Sequence, residues 1–356
     1  DLDALMYSNN LDAILVTGPG QHNPSMVYLT GGGHLTSADL IKKRGEDAVL
    51  FYNPMERDEA AHTGLKTKNL ADYKLHELRK ATGGDLIRAT ARRYKLMLED
   101  VGITAGRIAI YGRVEVGTSF AVFSALLDEL PNLTIVTEPD TSVLMQAMGT
   151  KEPAEIERIR RMGQVTTAVV AETADFLTSH AVKGEVLIKQ DGQPLTISEV
   201  KHRINLWLAE RGADNPEGTI FAIGRDAGVP HSTGTATDLL RLGQTIVYDI
   251  FPCETGGGYF YDFTRTWCLG FASDAAQALY EDVLAVYHQI MDELEAGAQC
   301  RAYQRRACEL FEARGHATIL SNPQTLEGYV HGLGHGIGLN IHERPWFGRN
   351  ASENDR

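Results

Sequence analysis

Residues 245–251 read Thr-Ile-Val-Tyr-Asp-Ile-Phe, a β-branched and aromatic run that follows a turn signal at Leu242 and Gly243. An aspartate inside such a run, here Asp249, is costly unless it is paired or bound to something. Further on, residues 259–267 read Tyr-Phe-Tyr-Asp-Phe-Thr-Arg-Thr-Trp. Strand alternation puts Asp262, Thr264 and Thr266 on one face, and Phe263, Arg265 and Trp267 on the other. The glycines at 256–258 predict a hairpin in which Asp249 and Asp262 are cross-strand neighbours. Two carboxylates that close repel unless a proton or a cation lies between them. Hard oxygen donors suit Mn²⁺, Mg²⁺ or Zn²⁺. The hairpin alone leaves a structural alternative open, with Asp262 paired to Arg265 or a distant lysine and Asp249 capping a turn.

Residues 331–345 read His-Gly-Leu-Gly-His-Gly-Ile-Gly-Leu-Asn-Ile-His-Glu-Arg-Pro, which places His331, His335 and His342 within one short stretch. His331 and His335 have the i, i+4 spacing of a helical metal pair. Glycine at 332, 334, 336 and 338 argues against a helix, since each costs about 1 kcal/mol relative to alanine. Alternate glycines predict extended or looped backbone, approached closely by another segment or a ligand. The His-Glu-x-x-His zinc-protease motif is absent, because Arg-Pro-Trp follows His342-Glu343.

The elements that must hold these residues can be read from periodicity. Residues 1–143 alternate strand-like runs (12–17, 47–52, 107–111 and 133–137) with helical stretches at 83–101 and 119–130. That alternation predicts an α/β domain with mainly parallel pairing. His22, His34, His62 and His76 are scattered through it and form no constellation. From residue 144 onward the pattern changes. Pro153 opens a helix whose apolar stripe runs from Ile156 to Phe176. Thr196 and Glu199 form a capping box ahead of a second helix that Gly212 can end. A third helix spans about 275–294, through Leu279, Val283, Val286, Tyr287 and Ile290, and a fourth spans 303–314. Strands lie between the second and third helices and after the fourth.

The 356 residues carry a net charge of −13, which argues against a broad phosphate-binding face. The basic stretches 158–161 and 301–306 read as solvated helix faces. No apolar run reaches the ~20 residues of a membrane span. Four cysteines without a Cys-x-x-Cys pair fit a reducing compartment, and no signal peptide is visible, so a cytoplasmic location is expected. The chain does not start with Met and stops abruptly after residues 351–356, which suggests a partial reading frame.

In order, the sequence offers Val229-Pro-His231, an aspartate in a strand, Gly-Tyr-x-x-Asp-x-Thr-Arg-Thr, and His-Gly-x-Gly-His-Gly-Ile-Gly-Leu-x-x-His-Glu. This series resembles the M24-type metallopeptidase superfamily of methionine aminopeptidase, aminopeptidase P, prolidase and creatinase. The resemblance is strong from about residue 147 to 345 and weaker before. It implies a creatinase-like α/β N-terminal domain at 1–143 plus an α+β pita-bread catalytic domain at 144–356, truncated at its C-terminus.

Carried over to this sequence, the resemblance makes Asp249, Asp262 and His335 metal ligands, with Asp262 bridging two divalent ions. Mn²⁺ is the first choice, with Co²⁺ or Zn²⁺ as alternatives. His231 and His342 would face the substrate as catalytic residues, His331 would line its pocket, and Thr264 would support the metal cluster. The family completes the site with two glutamates in strands after the histidine segment. Neither is expected among these residues, Glu343 and Glu353 being poor substitutes, so the chain by itself is expected to be inactive. The implied reaction is hydrolysis of the bond preceding proline in short peptides, by a dipeptidase or an aminopeptidase, with a homodimer as the implied assembly. The hairpin between the aspartates is two residues longer than the family pattern, an even insertion that keeps both facing one way. Two other readings are a metal-free creatinase-like amidinohydrolase and an inactive homologue that binds a peptide or partner. Retention of Asp249, Asp262 and His335 argues against both.

Overall fold

A computed structural model of the chain describes residues 1–138 and 141–356. The chain forms two compact units, Asp1–Thr150 with Thr255–Gly258, and Lys151–Glu254 with Tyr259–Arg356.

The first unit is built on a six-stranded sheet. Its strands are β1 (Ala13–Gly18), β2 (Ala38–Lys43), β3 (Val49–Tyr52), β4 (Lys66–Asn69), β5 (Gly106–Gly112) and β6 (Leu133–Val136), in the order β4-β3-β2-β1-β5-β6. β1 is buried along its whole length, as an unbroken apolar run requires. The helices Leu86–Asp100 and Val116–Glu129 bring Tyr94, Met97, Leu98, Val122 and Leu126 into one core with Leu15, Phe51 and Ile108. Parallel pairing holds for β1–β5, β5–β6 and β3–β4. The antiparallel strand β2, unread in the sequence, inserts between β1 and β3. Its Asp39, Lys42 and Lys43 hide the apolar Leu40 and Ile41. Asp39 is tolerated inside because the Tyr94 hydroxyl donates to its Oδ1 at 2.7 Å.

The second unit contains a three-stranded antiparallel sheet in the order β7 (Thr219–Ile223), β8 (Thr245–Ile250), β9 (Phe263–Cys268). The helix Pro153–Thr178 opens with a capping box between Glu152 and Glu155. The helix Ile197–Glu210 opens with the expected one between Thr196 and Glu199, and Gly212 follows its end in a left-handed conformation. Met162, Val169, Leu177, Val200, Ile204 and Leu208 from these helices share a core with Phe221, Tyr248 and Ile250. Along β8, Ile246, Tyr248 and Ile250 are buried while Val247 and Asp249 are not. The strand period therefore turns Asp249 away from the core that its neighbours build.

The helices Asp274–Glu293 and Cys300–Glu312 meet through Val286 and Ile290 against Ala307, Leu310 and Phe311. Leu279, Val283 and Tyr287 belong to the same apolar series but are about half exposed. The helix packs along one narrow seam, so only the part of its apolar stripe on that seam is covered. A last antiparallel pair joins β10 (Gly334–Gly336) to β11 (Glu343–Phe347).

The basic stretches are indeed solvated and internally neutralised. Arg158 pairs with Glu254, Arg160 with Glu157, Arg301 with Glu353 and Arg306 with Glu293. Among the described residues no helix is long and apolar enough to cross a membrane.

Candidate metal centre

Asp249 lies in the middle strand of the second unit's sheet. Its cross-strand partner is Thr264, so the expected direct pairing with Asp262 needs correcting. The ladder begins at Phe263 opposite Ile250, and Asp262 stands one residue before it. The chain between the strands leaves the ladder, with Cys253 bridging Phe260. Asp262 is thus the diagonal neighbour of Asp249, two residues from Thr264. Diagonal positions share a sheet face, so the two carboxyls still approach each other.

The Thr264 hydroxyl donates to Asp249 Oδ1 at 2.6 Å. Desolvation raises the pKa of Asp249, the Thr264 hydrogen bond opposes the rise, and the Asp262 charge adds to it. A carboxyl strained in this way by a like charge is the electrostatic mark of a cation site.

His335 sits in β10 directly opposite Trp346 of β11. Its Nδ1 lies 2.9 Å from the Gly336 carbonyl, an acceptor, so Nδ1 carries a proton. Its Nε2 faces Asp262 Oδ2 at 3.5 Å. The Asp262 carboxylate raises the pKa of this imidazole, desolvation opposing. A backbone carbonyl fixing one ring nitrogen while the other faces carboxylates is the arrangement of a histidine ligand.

Two further pairs of rings surround this core. His342 lies 4.4 Å, centroid to centroid, from His335 and stacks on Trp346 at 6.0 Å. Partial desolvation, followed by the charge of His335, lowers the pKa of His342. His231 and His331 are in edge contact at 5.9 Å. His231 has φ of +59°, a left-handed conformation uncommon outside glycine, so its loop is held in a specific shape.

The structure therefore brings Asp249, Asp262, His335 and Thr264 together, places His342 beside His335, and pairs His231 with His331. Trp346 was not singled out from the sequence. Its register opposite His335 is a property of the β10–β11 pair, which no spacing rule reveals.

Glu343 and Glu353 are both engaged elsewhere. Glu343 is buried and paired with Lys151 Nζ at 2.6 Å, and it also accepts the Asn340 N–H at 3.0 Å. Glu353 pairs with Arg301. The glycines of the segment divide into two kinds. A Cβ on Gly336 would stand 2.1 Å from the Arg344 carbonyl oxygen, and one on Gly338 would stand 2.4 Å from the Glu343 carboxylate. At Gly332 and Gly334 the nearest atoms lie at 3.5 and 4.0 Å, so close approach explains only Gly336 and Gly338.

Among the described residues no three His, Cys, Asp or Glu side chains are placed to share one ion; Asp262 meets Asp249 and His335 pairwise. The donor chemistry nonetheless fits a divalent cation. Two carboxylates share a sheet face, one imidazole nitrogen with its tautomer fixed approaches Asp262 from another strand pair, and a cation would offset both the desolvation and the Asp262 repulsion that raise the Asp249 pKa.

The chain is similar to known proteins over nearly its whole length. The model of metallopeptidase family M24 matches residues 157–356, more than half of the chain. An Xaa-Pro dipeptidase of Pyrococcus horikoshii is 23% identical over 346 residues, spanning 96% of this chain and 81% of that one. Among solved structures, a dipeptidase from Pyrococcus horikoshii OT3 superposes with a TM-score of 0.71 at 20% identity, covering 98% of this chain and 85% of the other. An X-Pro aminopeptidase from Thermotoga maritima gives 0.69 at 21% identity, covering 96% and 83%. These likenesses establish the fold, an N-terminal α/β domain followed by a pita-bread domain.

Proposed function

We infer the reaction from the premise that this chain belongs to metallopeptidase family M24: the protein as its gene encodes it hydrolyses the peptide bond preceding proline in short peptides. The observation that carries the reading is the approach of His335, from its own strand pair, to Asp262 beside Asp249, with His342 against His335 and His231 against His331. The similarity to an Xaa-Pro dipeptidase and an X-Pro aminopeptidase supports proline as the residue after the scissile bond.

Asp249, Asp262 and His335 would hold divalent metal, two ions with Mn²⁺ as first choice. Such a centre supplies a water of lowered pKa and polarises the scissile carbonyl. The chain's own residues do the rest. Thr264 orients the Asp249 carboxyl through its hydrogen bond and opposes the rise of its pKa. His342, whose pKa is held down, is neutral near pH 7, and its ring N–H can donate to the oxygen that gains charge as the carbonyl is attacked. His231 would serve the same task, and His331, in edge contact with it, would line the pocket. Trp346 gives His342 a flat surface that fixes the ring plane. We assign the enzyme to the cytoplasm on its four cysteines, which form no disulfide.

The test compares the protein as its gene encodes it with its Asp249→Ala variant, measuring Mn²⁺ content and cleavage of Xaa-Pro and Xaa-Pro-Yaa peptides. The variant is expected to lose bound metal and roughly a thousandfold in rate, ~4 kcal/mol of transition-state stabilisation. A parent protein without metal, or a variant with unchanged metal and rate, sinks the reading. The preferred peptide length separates dipeptidase from aminopeptidase.

A further inference from the structure

Gln304 is a fully polar side chain in the interior, 2% exposed, on the helix Cys300–Glu312. A carboxamide in such a place needs partners for both its ends. Both ends point at the histidine segment. Nε2 donates to the His331 carbonyl at 3.2 Å, and Oε1 accepts the Leu333 N–H at 2.6 Å. Oε1 also accepts from the Tyr329 hydroxyl at 3.4 Å, and Nε2 lies 3.7 Å from Cys308 Sγ. Donating to residue i and accepting from residue i+2 is how a neighbouring strand bonds a backbone. The side chain of Gln304 thus does for residues 331–333 what a strand would do, at a point where the segment has not yet entered β10.

The sequence makes such a clamp necessary. Gly332 and Gly334 flank Leu333 and carry no side chain to pack, and a Cβ at either would meet Phe347 only at ordinary contact distance. Their dihedrals are free unless something outside fixes them. Phe347 holds the Leu333 N–H from the other side at 2.8 Å, which leaves the His331 carbonyl dependent on Gln304. Leu333 and Tyr329 also rest on the core cluster of Val286, Ile290, Ala307, Leu310 and Phe311, so the clamp joins the segment to a rigid helix pair.

We propose that Gln304 is a positioning residue for the reaction: its carboxamide fixes the backbone of residues 331–333 and thereby the places of the His331 and His335 rings. This rests on the function proposed above. It assigns a role to a residue that touches neither metal nor substrate. The donor end holds the residue that bears the pocket ring, and the acceptor end holds the residue that leads into His335.

Two variants separate the ends. Gln304→Met keeps length and packing and removes both hydrogen bonds. Gln304→Glu keeps an acceptor for Leu333 and removes the donor to His331. The measurements are kcat and KM for an Xaa-Pro peptide, Mn²⁺ affinity by calorimetry, hydrogen exchange of the 331–335 amides in metal-free protein, and thermal unfolding. Gln304→Met is expected to speed exchange across 331–335, weaken Mn²⁺ binding and lower kcat by about 10–100-fold each, the usual effect of losing an outer-shell partner. Gln304→Glu is expected to retain most of the Mn²⁺ affinity while kcat/KM falls. Wild-type exchange, Mn²⁺ affinity and kcat in Gln304→Met overturn the proposal, as does a lowered melting temperature with unchanged kcat and Mn²⁺ affinity at assay temperature. If the unaltered protein neither binds Mn²⁺ nor cleaves Xaa-Pro peptides, the proposed function falls. The clamp then stands or falls on the exchange measurement alone.

Discussion

The aspartates and the histidines reach the site by different means. Asp249 is placed by a regular ladder, with β7 on one side and β9 on the other, and the register alone brings Thr264 to its carboxylate. The histidines stand on a glycine-rich segment whose own pair, β10 with β11, is short and breaks register after His335. What that segment lacks in ladder it receives from side chains: Gln304 at residues 331–333, Lys151 through Glu343, and Asn340 on the same carboxylate. A sheet positions by backbone periodicity, which tolerates changes in the side chains around it. A tethered loop positions by individual contacts, so each contact carries more of the geometry.

Breaking the longest-range tether should show this most strongly. Lys151→Met leaves the Glu343 carboxylate buried without its cation. Removing one partner of a buried pair costs about 3–5 kcal/mol. Denaturant unfolding should record a loss of that order, with kcat reduced because His342 adjoins Glu343. Unchanged stability would mean that the pair does not hold the loop.

The next effect is a contrast between two glycines. Gly336→Ala would force a Cβ to 2.1 Å from the Arg344 carbonyl, whereas Gly334→Ala meets nothing nearer than 4.0 Å. Overpacking of the first kind costs typically 1–3 kcal/mol. The melting temperature should fall clearly for Gly336→Ala and stay near the parent for Gly334→Ala. Equal melting temperatures would remove close approach as the reason for glycine at 336.

The smallest change is expected in the aspartate half. Thr264→Val removes one hydrogen bond, worth about 1 kcal/mol, and leaves the ladder intact. Because that bond lowers the Asp249 pKa, its loss raises the pKa further. Protons then compete with metal up to a higher pH, and the midpoint of Mn²⁺ binding against pH should move upward. A midpoint that stays put, or moves down, would show that Thr264 does not tune the carboxyl.

Local patterns made much of this protein readable in advance. The capping box at Thr196 and Glu199, the proline that opens the helix Pro153–Thr178, and the alternation along 245–250 each operate within one element, and each survives in the fold. The glycine spacing was enough to deny a helix to the histidine segment. Where reading failed, the deciding contact lay outside the element. β2 is a strand because β1 and β3 flank it, not because Asp39, Lys42 and Lys43 suggest one. The helix Asp274–Glu293 has an apolar stripe, but its pattern could not tell which part of the stripe meets Cys300–Glu312.

The sequence by itself determined which residue types could do chemistry, their order along the chain, and the faces on which Asp249, Asp262 and Thr264 stand, because strand period and motif spacing are local properties. The tertiary structure alone decided that Thr264, not Asp262, is the direct partner of Asp249, since register is set where two strands enter their ladder. It also decided that Lys151 reaches Glu343 across 192 residues, that Trp346 lies under His342, and that Gln304 holds the histidine backbone. Those contacts join segments far apart in the chain, and no period or spacing within either segment carries a trace of the other.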